Sequence, residues 1–366
     1  MFSLLFGLTQ SIIIYPPTAS ALGTFKIYLP LVMKSLPVSA TWYMNKPADS
    51  PQTPYNPYNL GYTVAQTDTV YIGGGNSVLE ILAFGQPCSV TSGGSTVYGA
   101  YLWDKICYGT GEVLYETMNY INGYCAYLVD QYPGTHCGPY FPTGPMLHLV
   151  IGTSNCTNGG SLCTNPSQDT NVSYQHGVYW ALMLNSLNSY LANSNYSYQI
   201  VVSGGIDAEL NWNTQVNTRN WVNGYSATTS LYLYDFGACE CSLGYNPNYL
   251  MPNGWTYEDV WYVSFGNPNS FPAPEIYNTT GANASQWQGV SHYGAVAHHA
   301  AVYFPGVLTE SGACSQVSSC AGIDNTPLQG MTQLRNALNQ DSLTRDIALY
   351  SIWSTDIAWY PSSSLP

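Results

Sequence analysis

The chain has 366 residues, enough for one large core or at most two ordinary ones. Only 7% of residues are charged, and seven basic residues face twenty acidic ones, for a formal net charge of -13. Such a surface repels nucleic acid and anionic membranes at long range, so neither is expected as a partner.

Residues 1–21 read as an export signal, with apolar stretches at 2–6 and 12–15 and a small-residue cleavage site at Ala19-Ser20-Ala21. The usual basic start is missing, since Lys26 is the first cation. An extracellular or cell-surface location is expected. Residues 22–59 hold an apolar segment and then a linker carrying Pro37, Pro47, Pro51, Pro54 and Pro57. No later apolar run reaches the ~18 residues of a membrane span.

From about Leu60 the pattern alternates, and residues 60–360 are expected to form the folded body, followed by a tail at 361–366. Strands are predicted at 78–84, 146–152, 231–236, 260–265, 301–309 and 349–359, with helices at 111–130, 176–193, 218–225, 282–293 and 326–339. The last helix opens on Thr326-Pro327, with proline at the first helical position. Strand and helix alternating this often predict a parallel sheet, and seven or eight strand candidates favour a (β/α)8 barrel of the TIM type with disulfide-stapled loops.

The stretch YQIVVSGGIDAELNWN (198–213) is the centre of this pattern. Side chains alternate along a strand, so Ile200, Val202, Ile206 and Ala208 form one file, suited to lie under helices. The other file is Val201, Ser203, Gly205, Asp207 and Glu209, small or acidic, and it would end in a cleft. Acids just past a strand also cap helices or stay solvated. Asp235 and Glu275 stand near other strand ends, and either could pair with the first two. Close carboxyls in an apolar cleft separate their pKa values, one keeping a proton as general acid while another stays charged. The rival reading is a hydrogen-bond network among tyrosines and asparagines. Trp212, Tyr277, Trp287 and Trp255 are candidate sugar platforms, or core and rim aromatics.

Ten cysteines with almost no metal-ligand spacing point to disulfides and an oxidising compartment. Near neighbours suggest Cys88 with Cys107, Cys125 with Cys137, Cys156 with Cys163 and Cys314 with Cys320. A bond between Cys239 and Cys241 would be strained, so one or both are expected to pair elsewhere. The histidines lack ligand spacings, and no metal site is expected. Gly73-Gly74-Gly75 precedes a strand rather than following one, and no Gly-x-Ser-x-Gly elbow occurs, so no cofactor or serine nucleophile is expected.

The segments VLEILAFGQP (78–87), GIDAELNW (205–212), PEIYNTTGANASQW (274–287) and DNTPLQGMTQL (324–334) together resemble an uncharacterised group of secreted bacterial proteins with a glycoside-hydrolase-like barrel. More distantly, Asp207-x-Glu209 is similar to the Asp-x-Glu strand end of barrel muramidases. That resemblance implies Glu209 as proton donor, Asp207 as its charge-supporting partner, and a polysaccharide or peptidoglycan substrate. The muramidases' other acidic strand ends have no secure match, since Glu80 lies in mid-strand and Asp235 fits only approximately. The alternative expectation is a non-catalytic surface barrel that binds glycan or self-associates.

Overall fold

The computed structural model describes residues 38–44, 56–72, 77–101, 107–131, 137, 147–155, 170–317, 323–345 and 353–359. All belong to the unit Leu36–Pro366. The expected signal at 1–21, the tail at 361–366, and Cys156, Cys163 and Cys320 lie outside the described residues.

The first strand, β1 (Val38–Tyr43), is followed by helix α1 (Pro57–Ile72) and strand β2 (Val78–Ala83). A three-stranded antiparallel sheet, β3 (Gln86–Ser92), β4 (Ser95–Tyr101) and β5 (Cys107–Gly109), precedes α2 (Thr110–Gln131). Strand then alternates with helix: β6 (Leu147–Ser154), α3 (Thr170–Asn193), β7 (Ile200–Asp207), α4 (Gln215–Thr228) and β8 (Leu233–Asp235). The short α5 (Tyr257–Trp261) runs into a π turn at Tyr262–Gly266 before β9 (Ser270–Pro272). The chain continues through α6 (Ala282–His298), β10 (Gly306–Thr309), α7 (Ser311–Val317), α8 (Pro327–Gln340) and β11 (Trp353–Trp359).

Eight of these strands form one sheet in the order β10-β11-β1-β2-β6-β7-β8-β9, every neighbour parallel. Its two ends meet where the chain beyond β9 bridges Glu275 to Leu308. There Ile276 N–H donates to the Leu308 carbonyl at 2.8 Å, and Leu308 N–H donates to that of Pro274 at 2.9 Å. The result is a nearly closed parallel barrel with helices alternating along it.

Two apolar layers follow from the alternation of side chains. Leu79, Ile81, Val150, Tyr234, Phe236 and Leu308 pack inside the sheet. Ile200, Val202 and Ile206 pack outward against helices, with Trp180, Leu184 and Trp221. Gly205 is a packing requirement, because a Cβ there would come within 2.6 Å of a Val150 methyl and 2.8 Å of the Phe236 ring. Helices α1 and α2 cross closely at Gly61 and Gly123, where any side chain would strike the facing backbone at Tyr120 and Tyr58.

Several expectations are corrected. The barrel begins at Val38, inside the stretch read as linker, because the flanking prolines mask a short strand. The pattern from Leu60 is a helix rather than a strand. The apolar run at 260–265 is α5 and the π turn: Thr256 and Asp259 form a capping box that starts a helix there, and β9 comes just beyond. Disulfides join Cys88 to Cys107 and Cys125 to Cys137, as expected from their spacing. Cys314 is also disulfide-bonded. Cys239 and Cys241 pair with each other, contrary to expectation, their Cα atoms standing 5.2 Å apart, a separation a disulfide spans.

Candidate active site

Strand β7 delivers Asp207 at its carboxyl end, on the file that faces the barrel interior, and Glu209 follows two residues later. Glu275 arrives from the seam beyond β9, pointing inward like Ala273 before it. One carboxylate oxygen from each of Asp207, Glu209 and Glu275 lies within 4.8 Å of the others. Their exposures are 3%, 9% and 7%, so the acids stand nearly out of water.

Two tyrosines tie the group together. The Tyr277 hydroxyl donates to Glu275 Oε1 at 2.6 Å. Tyr43, at the end of β1 across the barrel, hydrogen-bonds both Tyr277 and Asp207. Glu209 Oε1 accepts the Ala238 N–H at 3.1 Å, and Glu209 also shares a hydrogen bond with Glu275. Asp207 Oδ1 is buried with no partner among the described residues.

Burial, followed by mutual repulsion, governs the protonation of these groups. Burial pushes Asp207 well above the usual carboxylate range, and the charges of Glu209 and Asp235 push it further. Glu275 is raised well above its ordinary value by burial and then by Glu209 and Asp207. Burial lifts Glu209 to about 7, against the opposing Ala238 bond. Carboxyls this close cannot all ionise, so the cluster holds protons at neutral pH.

No known protein family, curated protein or solved structure matches this chain. The site is therefore read from its own geometry. Three carboxylates with oxygen donors only could also hold a hard divalent cation.

The other expected residues separate. Asp235 does not join the cluster: Tyr234 and Phe236 point inward, so Asp235 between them points outward. There it accepts from Ser264 Oγ at 2.6 Å and Gly237 N–H at 3.2 Å, and burial lifts it to about 6. Trp255 and Trp287 are core residues, 3% and 1% exposed, and not sugar platforms. The Trp255 indole donates to the Asn213 carbonyl, and Trp287 packs edge-on against Phe304. Trp212 is half-buried just past Glu209, whose carbonyl accepts its N–H. Tyr277 belongs to the cluster.

Two contributors were not anticipated. Asn155, beyond β6, clamps Glu209 by its amide: Nδ2 donates to the Glu209 carbonyl at 2.9 Å and Oδ1 accepts the Glu209 N–H at 3.2 Å. Its own N–H donates to the Asp207 carbonyl at 3.0 Å. In the sequence Asn155 stands out only as a glycosylation sequon, and it is buried. Tyr43 lay in the presumed linker. Arg219, the basic residue nearest to Asp207 and Glu209 in the sequence, pairs with Asp259 at 2.7 Å and lies over the Tyr262 ring.

Proposed function

We propose that the chain is an exported (β/α)8 barrel of the glycoside-hydrolase-like kind, acting on cell-wall or extracellular polysaccharide, peptidoglycan included. The observation that carries this reading is the meeting of Asp207, Glu209 and Glu275 within 4.8 Å at the carboxyl ends of parallel strands. A bound of 4.8 Å lies on the short, retaining side of the spacing rule for glycosidases and below the wider range of inverting ones. Glu209, lifted by burial to about 7, keeps in this reading the proton a general acid must deliver.

In this mechanism Glu209 gives its proton to the glycosidic oxygen, in the role the muramidase resemblance implies. The bond from that oxygen to the anomeric carbon breaks while the Glu275 carboxylate bonds to that carbon. Water then attacks the same carbon, Glu209 takes back a proton from it, and the Glu275 ester bond breaks. Asp207 and its partner Tyr43 support the positive charge that develops on the sugar.

A panel of glycans and peptidoglycan, tested with wild type, Glu209→Gln and Glu275→Gln, examines this reading. Both variants are expected to lose turnover of natural glycans. Glu209→Gln alone should retain activity on aryl glycosides, whose leaving group needs no proton. Unchanged turnover in both variants sinks the assignment. The near burial of the three acids favours a second reading, a non-catalytic barrel that binds glycan or self-associates. Glycan binding without turnover in all three proteins would select it.

A further inference from the structure

We infer that Asp235, which does not join the three acids, is the positioning residue that holds Glu209 against Glu275, acting through the turn Gly237–Cys241 beyond β8. That turn touches both residues. Ala238 N–H donates to Glu209 Oε1 at 3.1 Å, and the Gly237 carbonyl accepts the Glu275 N–H at 3.3 Å. The two groups belong to one peptide unit, which is planar and points its C=O and N–H in opposite directions. It therefore lies between the Glu209 carboxyl and the Glu275 backbone as a rigid spacer.

Asp235 sets where the spacer stands. Its Oδ1 accepts the Gly237 N–H at 3.2 Å, on the residue that supplies the spacer's carbonyl. The same carboxyl accepts the N–H of Ala208, the residue between Asp207 and Glu209. Ser264 Oγ of the π turn holds it from behind at 2.6 Å. All of these bonds form out of water, since Asp235 is buried. Gly237 rests directly on Ala208, where a Cβ would come within 2.4 Å of the carbonyl oxygen and 2.5 Å of the nitrogen. Beyond the spacer Cys239 pairs with Cys241, and Gln286 Nε2 donates to the Cys241 carbonyl at 2.9 Å, so the turn is fastened at its far end too. One outward carboxyl thus ties the acidic end of β7 to the peptide that separates its Glu209 from the seam's Glu275. The placement stands on these contacts alone, and its consequence for turnover rests on the glycosidase reading.

The test compares Asp235→Asn with Asp235→Ala, which both lack the charge and differ in the bonds. Asparagine keeps an oxygen for the Gly237 and Ala208 N–H groups. Its amide N–H can donate to Ser264 Oγ, whose proton then turns to the Val260 carbonyl at 2.8 Å. Alanine releases the spacer, and Glu209 loses an N–H that favours its charged form. Carboxyl-carbon NMR of glutamate-labelled protein, assigned through Glu209→Gln, should show Glu209 titrating at higher pH in Asp235→Ala than in Asp235→Asn. On glycans, Asp235→Ala should lose up to about a hundredfold in kcat with KM little changed, while Asp235→Asn stays near wild type. If Asp235→Ala does not fold, Gly237→Ala, which drives the spacer off Ala208 and leaves Asp235 in place, is read against wild type in the same titration. A Glu209 titration that is the same with the spacer held and released overturns the assignment. A titration difference in a protein that turns over no glycan keeps the positioning role and removes the hydrolase reading. Turnover with equal titrations does the reverse.

Discussion

Replacing Glu80 by glutamine should stabilise the protein at neutral pH and leave it nearly unchanged in acid. Glu80 sits in the middle of β2 on the outward file, fully buried against α1 and α2. The charged and titratable groups facing it are Asp68 of α1 and Tyr120 and Tyr124 of α2. Tyr120 donates to Glu80 Oε2 at 2.5 Å, and Tyr124 donates to Asp68 at 3.0 Å. A proton on Glu80 joins the two acids, and burial followed by the Asp68 charge raises Glu80 well above its ordinary 4.5. In the unfolded chain Glu80 ionises above 4.5, while the folded chain keeps it protonated. The stability this group contributes is therefore complete below that value and is lost as pH rises toward the folded pKa. Above 4.5 the folding chain must take up a proton, at a cost of about 1.4 kcal/mol for each pH unit until the folded pKa is reached. Glutamine keeps the acceptor for Tyr120 and offers Asp68 an N–H that does not titrate. Urea unfolding at pH 4 and pH 7 should show near-equal stability at the first and a lead for Glu80→Gln at the second, widening by up to about 1.4 kcal/mol per pH unit between them. A gap that fails to widen with pH would refute the argument, as would a variant weaker than wild type at both.

Asn155→Ala removes both bonds that hold the Glu209 backbone and should cost about 1–3 kcal/mol of stability. In a turnover assay its kcat should fall more than its KM rises, because Glu209 is displaced rather than the sugar contacts. Gly205→Ala drives a methyl into Val150 and Phe236 and should cost about 1–3 kcal/mol by overpacking, read as a lower urea midpoint. If Glu209 is the proton donor, with its carboxyl lifted to about 7, the acid form is lost and glycan turnover falls as pH rises through that value. A pH-rate profile flat from 5 to about 8 would remove Glu209 from that role.

The parts of the fold legible in the sequence were those whose burial pattern is long. LHLVIGTS of β6 and IVVSGGID of β7 are apolar over most of their length, and the alternation in β7 correctly turned Asp207 inward. β1 was hidden because VSATWY is short, half polar and flanked by prolines, and its identity comes from pairing with β11 at the far end of the chain. The run at 260–265 was ambiguous because five or six apolar residues suit a strand or a buried helical turn, and the Thr256–Asp259 cap decides between them. Asp235 was assigned by position along the chain and not by the file it shares, which Tyr234 and Phe236 fix. Asn155 could not be found locally, since its partner is 54 residues away.

The barrel's acids are balanced by protons more than by bases, and the pH dependence of the whole fold should show it. Asp68 and Asp235 are lifted by burial to about 6 and Glu209 to about 7, while Asp207, Glu275 and Glu80 are raised well above their usual range. Only seven basic residues exist to pair with twenty acids. In most proteins carboxylates are depressed by partners and stability is lost on acidification. Here each of these groups stabilises the fold below its unfolded value near 4 and withdraws that contribution as pH climbs toward its folded value, about 6 for Asp68 and Asp235 and about 7 for Glu209. The seam adds a local consequence, because Glu275 bridges the sheet to Leu308 by its backbone and repels Glu209 and Asp207 by its side chain once ionised. Ionisation of the site and opening of the barrel at that seam are thus expected to coincide. Denaturation midpoints should be higher at pH 4–5 than at pH 8, with the amides of Glu275, Ile276 and 306–308 gaining hydrogen exchange first as the pH is raised. A midpoint that rises steadily from pH 4 to pH 8 would mean that these carboxyls ionise without penalty, and the buried-proton account of this barrel would fall with it.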